Sequence, residues 1–101
     1  MIVVNAGIET TAEKIANMTD AIAEMETASR LEASCHDYTF SVEINNPEVI
    51  RITEKWESMA ALMEHFGQPH MAAFQAAMAA HPPKSVSAAF YEAKEVAMPG
   101  R

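Results

Sequence analysis

The spacing of apolar residues predicts an α+β fold of ferredoxin-like βαββαβ order, a four-stranded sheet with helices on one face. Three observations carry this. Apolar residues at helical spacing from Ile15 to Met25 give way, at His36, to strict alternation. The alternation is interrupted once, at Asn45-Asn46-Pro47, and then resumes as far as Glu57. After a helical pair, a last run, Val86 to Val96, with Ala88, Phe90 and Tyr91, supplies a fourth strand.

The elements follow in order. Met1 to Ile8 carries Ile2, Val3 and Val4, a β-branched run that reads as a strand. Thr10-Thr11-Ala12-Glu13 reads as a capping box, in which a threonine side chain accepts from a free N–H and Glu13 reaches back. Ile15, Met18, Ile22 and Met25 then predict one long amphipathic helix ending near Ser34. His36, Tyr38, Phe40, Val42 and Ile44 alternate with polar residues, as a half-buried strand does. Asn45-Asn46-Pro47 reads as a turn, with Pro47 breaking the ladder. Val49 to Glu57 is the next strand, with Ile50, Ile52, Glu54 and Trp56 on one face, so the two strands form an antiparallel hairpin.

Ser58 caps a second helix carrying Met59, Leu62, Met63 and Phe66, and Gly67 ends it. Pro69 opens a third helix with Met71, Phe74 and Met78 on one side, and His81-Pro82-Pro83 stops it. A sheet with helices on one face leaves its other face open. Val3 beside Val4 and Phe90 beside Tyr91 put apolar groups on both faces, so a second copy of the chain is expected to cover the open one.

The 101 residues make one domain, 1–101. Half are apolar, and 14 Asp plus Glu against 7 Lys plus Arg give a formal charge of -7. Such a chain repels phosphate backbones and anionic lipid, which disfavours nucleic acid and membranes as partners. The longest apolar runs fall far short of the ~20 residues of a membrane span, and no signal peptide is expected. The one cysteine, Cys35, excludes an intrachain disulfide and a CxxC site, and a lone thiol fits a reducing cytoplasm.

The chemistry-bearing residues concentrate between Glu54 and Met71. His65 and His70 are the candidate bases, since imidazole accepts and passes on a proton near neutral pH. The structural alternative is that both sit at helix ends, His65 in a last turn that favours positive charge. His65 and His70 are separated by Gly67 and Pro69, and with Glu64 or His36 they form no recognised metal-ligand spacing, so no metal is expected. Capping accounts for Ser58, and no Gly-rich phosphate loop is present, so no nucleotide cofactor is expected. Glu54, if buried beside Trp56, needs a partner, which makes it a structural anchor or a proton acceptor, the anchor being favoured.

The segment Glu54-x-Trp56-Glu57-Ser58, followed by His65-x-x-x-Pro69-His70 and reinforced by Cys35-His36-Asp37-Tyr38, resembles the antibiotic biosynthesis monooxygenase family. Its small quinol monooxygenase-like bacterial members are the nearest in pattern. The resemblance spans nearly the whole chain in element order and implies a dimeric α+β barrel, two ferredoxin-like sheets closing face to face. It departs from the pattern at Ser34, where many relatives have glycine. The haem-degrading branch's Asn, Trp and His fall at Ile8, His65 and Gln75, so haem degradation is not expected.

The resemblance implies a cofactor-independent monooxygenase acting on a quinol or polyphenolic small molecule, with His65 or His70 as base. Tyr38, Trp56 and Tyr91 would orient the ring oxygens, and Phe66 and Phe74 would help wall an apolar pocket between the sheet and the second and third helices. The alternatives are a non-catalytic dimer that binds a small hydrophobic molecule, and an isomerase-like enzyme of the same superfamily.

Overall fold

A computed structural model describes residues 1–100 of the chain. It contains β1 Ile2–Glu9, α1 Ala12–Asn17, α2 Thr19–Arg30, β2 Cys35–Glu43, β3 Asn46–Trp56, α3 Met59–Phe66, α4 Pro69–Ala80 and β4 Ser85–Glu92. The strands form one antiparallel sheet in the order β2-β3-β1-β4, the ferredoxin-like arrangement expected. Among the described residues, no helix is long and apolar enough to cross a membrane.

Register fixes which side chains face the helices. Ile2 pairs with Trp56, Val4 with Glu54, Ala6 with Ile52 and Ile8 with Ile50. Directly opposed residues point to the same side, so this set forms one face, extended on β2 by Tyr38 and Phe40. Met18, Met25, Leu62 and Phe74 of the helical layer close over it as a buried core. The other face carries Asn5, Arg51 and Thr53 and is polar near the centre of the sheet.

The helical layer differs from expectation in two places, and the second matters for the site. The long helix is broken at Met18, whose φ of -100° and ψ of 1° leave the helical region. Met18 turns inward and is buried. The Thr19 hydroxyl donates back to the Ile15 and Ala16 carbonyls, competing with the regular ladder. The second segment ends at Arg30, not near Ser34, in a turn tightened by bonds from Leu31 N to Ala28 O, Glu32 N to Ser29 O and Cys35 N to Glu32 O. That turn presents Glu32.

Smaller corrections follow, the first two of them set by the reach of partner strands. Pro47 lies inside β3 rather than ending the ladder, because β3 pairs with β1 only from Val49 onward and asks no donor of Pro47. β4 stops at Glu92, not Val96, because its partner, β1, begins at Ile2; the Ala93 N–H to Met1 carbonyl bond is the last rung. Thr11, not a Thr10–Glu13 box, caps α1: its hydroxyl accepts from the Lys14 N–H at 3.2 Å, and Glu13 makes no return bond. Ser58 caps α3 as expected, accepting from the Ala61 N–H at 3.2 Å.

Candidate functional site

One carboxylate oxygen joins the two histidines. Oε2 of Glu32 lies 2.6 Å from Nδ1 of His65 and 2.8 Å from Nε2 of His70. Each residue comes from a different element. Glu32 sits in the turn after α2, His65 in the last turn of α3, and His70 in the first turn of α4. The short link at Gly67 and Gln68 sets the two imidazoles side by side, ring centroids 5.8 Å apart. With Glu32 as the shared acceptor, His65 donates from Nδ1 and His70 from Nε2, leaving Nε2 of His65 and Nδ1 of His70 as acceptors.

His65 is only 1% exposed. Its ring packs on Trp56 at 4.5 Å between centroids and against Tyr38 at 5.4 Å. Trp56 is fully buried and donates Nε1–H to Oε1 of Glu54 at 2.9 Å. Burial raises the Glu54 carboxyl above its usual range, although the Trp56 bond and nearby His65 pull the other way. Burial likewise pushes the Tyr38 phenol well above its usual value, with the charge of Glu54 adding to the effect. Glu54 is thus held in place by Trp56, as a structural anchor should be.

Outside this buried stack a cavity of about 380 Å³ opens between the end of α2 and the α3–α4 link. Glu32, Trp56, Glu64, Gln68 and His70 are among the residues that line it. The cluster therefore runs from an open cavity, through His70 and Glu32, to an enclosed imidazole.

Of the residues singled out from the sequence, His65, His70, Tyr38 and Trp56 come together here. Phe66 lies beside the His65 ring at 6.0 Å but is half exposed. Phe74 packs on Phe40 at 5.5 Å, deeper in the core. Tyr91 pairs with Val3 and so stands on the opposite face of the sheet, away from the histidines. His36 contacts Glu57 at the surface, and Ser58 is engaged in capping.

Glu32 was not legible as a site residue. It is one of 14 carboxylates and lies 33 residues before His65. The only available signal was chemical: a buried imidazole needs a partner for its N–H.

Comparison with known proteins bears on the fold and the family. A candidate antibiotic biosynthesis monooxygenase from Deinococcus radiodurans is similar in structure, with a TM-score of 0.88, 23% identity and 97% of each chain covered. Rv0793 from Mycobacterium tuberculosis has a TM-score of 0.84 and 21% identity, with 96% of this chain and 98% of that one covered. A conserved protein from Methanosarcina mazei gives 0.84 and 22%, with 92% of each chain covered. These likenesses concern the fold. A comparison with curated protein sequences finds no match. Residues 1–77, which include every member of the Glu32 cluster, match the sequence model described as antibiotic biosynthesis monooxygenase, and the chain belongs to that family.

Proposed function

We propose that the chain is a cofactor-independent monooxygenase of a quinol or polyphenolic small molecule, acting in the cytoplasm as a homodimer. The observation that carries this reading is the imidazole–carboxylate–imidazole cluster at the edge of an open cavity. A dihydroxyaromatic ring that has lost a hydroxyl proton is electron-rich enough to reduce oxygen itself. A quinol and O2 then give a hydroxyquinone and water, and the protein supplies a base, fixed donors and partial exclusion of water.

His70 is the better placed base, because it lines the cavity and keeps Nδ1 free. His65 is the second candidate, through Nε2. In this reading Glu32 offsets the positive charge that an imidazole acquires on taking the substrate proton, as a carboxylate beside a catalytic imidazole does. Trp56, Tyr38 and Phe66 form the aromatic side of the site, with Phe74 further along α4. Tyr91 takes no part in this arrangement. The homodimer reading is supported by the helix-free sheet face, where Val3, Ala89 and the half-exposed Tyr91 lie beside one another.

Oxygen uptake with a panel of quinols tests the activity. Consumption with at least one quinol, lost in His70→Ala, is the expected result; no uptake with any would overturn it. A second reading, a dimer that binds a small aromatic molecule without turnover, is favoured by one observation. Tyr38, Trp56 and Phe74 fill the space between sheet and helices, so the free volume lies at the rim. Saturable quinol binding without oxygen uptake is its signature.

A further inference from the structure

We propose that Glu32, His65 and His70 form a binding site for one divalent transition-metal ion, of the zinc or cobalt kind, at the edge of the cavity. Their donor atoms, one carboxylate oxygen and two imidazole nitrogens, all lie within 4.8 Å of one another. Two nitrogens and one oxygen suit zinc, cobalt, nickel or iron, whereas magnesium and calcium favour all-oxygen sets. Among the described residues no other group of three such side chains converges in this way.

The geometry asks for a local rearrangement, since donors that lie within 4.8 Å of one another must settle at the spacing an ion sets. An ion about 2.0–2.2 Å from each donor sets the donors roughly 3.0–3.5 Å apart. The Glu32 contacts, at 2.6 and 2.8 Å, are shorter than this, so the carboxylate must draw back by roughly half an ångström. Glu32 stands on the turn after α2, and side-chain rotation supplies that movement. The imidazoles are the fixed partners. His65 is wedged against Trp56 and Tyr38, and His70 is 12% exposed at the start of α4. Three protein donors leave a further coordination position, and the cavity beside Glu32 and His70 gives water or a ligand oxygen access to it.

The fold does not depend on the ion, because the two hydrogen bonds to Glu32 already satisfy one N–H of each imidazole. An imidazole that binds the ion through the nitrogen now facing Glu32 carries its proton on the other ring nitrogen. That nitrogen then becomes a donor. Metal binding and proton abstraction are accordingly alternative states of one cluster, and the binding claim stands apart from the proposed reaction.

The test uses the full chain stripped with a chelator and titrated with Zn2+ by calorimetry and with Co2+ by visible absorption. One ion per chain is expected, with cobalt bands of a nitrogen- and oxygen-ligated site. Glu32→Gln and His70→Gln should each weaken binding by at least about tenfold, since loss of even an outer-shell partner costs that much, with unchanged circular dichroism. His36→Gln, at the surface pair with Glu57, should leave binding unaltered. The proposal is overturned if the wild-type chain shows no saturable binding, or if His70→Gln binds as tightly as wild type. Should Glu32→Gln lose its fold, the partly exposed His70 decides the matter alone.

Discussion

Nδ1 of His65 lies 2.6 Å from Oε2 of Glu32, although 33 residues separate the two in the chain and the imidazole is almost wholly enclosed. This pairing ties the turn after α2 to the end of α3, so the place where α2 stops decides which carboxylate reaches the site. It also separates the two histidines. His70 shares the acceptor but faces the cavity, whereas His65 is walled in by Trp56 and Tyr38.

The first prediction concerns His70. If it takes the substrate proton, His70→Ala should lower turnover per folded molecule by roughly 10²–10⁴-fold. Its stability should fall by only about 0.5–1.5 kcal/mol, the net worth of one hydrogen bond, far too little to unfold it. Oxygen uptake normalised to the folded fraction measures this. Unchanged turnover would remove His70 from the mechanism.

The second concerns His65, and here the structure revises the expectation for a helix-end histidine. An exposed imidazole at a helix C-terminus is worth about 0.3–1 kcal/mol through the dipole. His65 is buried and hydrogen-bonded, so His65→Ala leaves both a void beside Trp56 and a carboxylate short of a donor. The lost hydrogen bond costs about 0.5–1.5 kcal/mol before the cavity is counted, because Glu32 keeps its bond to His70. Chemical denaturation should show a clear loss of stability. Trp56→Ala, which removes a buried indole, should cost about 3–5 kcal/mol and serves as the upper reference.

Most of the fold was legible because its signals are local. The alternation holds where one face is buried, at Tyr38 and at Ile50, Ile52, Glu54 and Trp56, whereas His36, Val42 and Ile44 are exposed and β2 ends at Glu43; Ser58 marks a helix start by its own chemistry. The break at Met18 was hidden because Ile15, Met18, Ile22 and Met25 keep helical spacing through it; Met18 stays buried on either side of the kink. The site was half legible. His65 and His70 announce themselves, but Glu32 is brought to them only by the turn that ends α2, and no periodicity encodes that contact. Tyr91 was grouped with the site by residue type, whereas register sends it to the far face of the sheet.

The third prediction concerns Cys35. Burial, aided by the negative charge of Glu32, raises its thiol to about 11 from the ordinary 9.0. Little thiolate is present at neutral pH, so alkylation should be slow. Its rate should still be climbing at pH values where an unhindered thiol has levelled off. Glu32→Gln removes one of the charges that hold the thiol up and should shift the rate profile to lower pH. A rate at neutral pH equal to that of an exposed peptide thiol would contradict the burial assigned to Cys35.

The last prediction follows from Glu54. Its folded carboxyl is raised above the usual 4.5, chiefly by burial. The folded state therefore holds a proton that the unfolded state has already released. The sign is fixed by linkage: stability is fully present below the unfolded value and is lost as pH rises from there through the raised folded value. Glu54→Gln is neutral at every pH and keeps an oxygen to accept from Trp56 Nε1. The variant should match the wild type at about pH 4 and be the more stable of the two at neutral pH, with a flatter dependence between. Denaturation midpoints across that range measure the difference. A variant less stable than wild type at neutral pH would show that the ionised carboxylate, not merely an acceptor for Trp56, is what the core requires at this position.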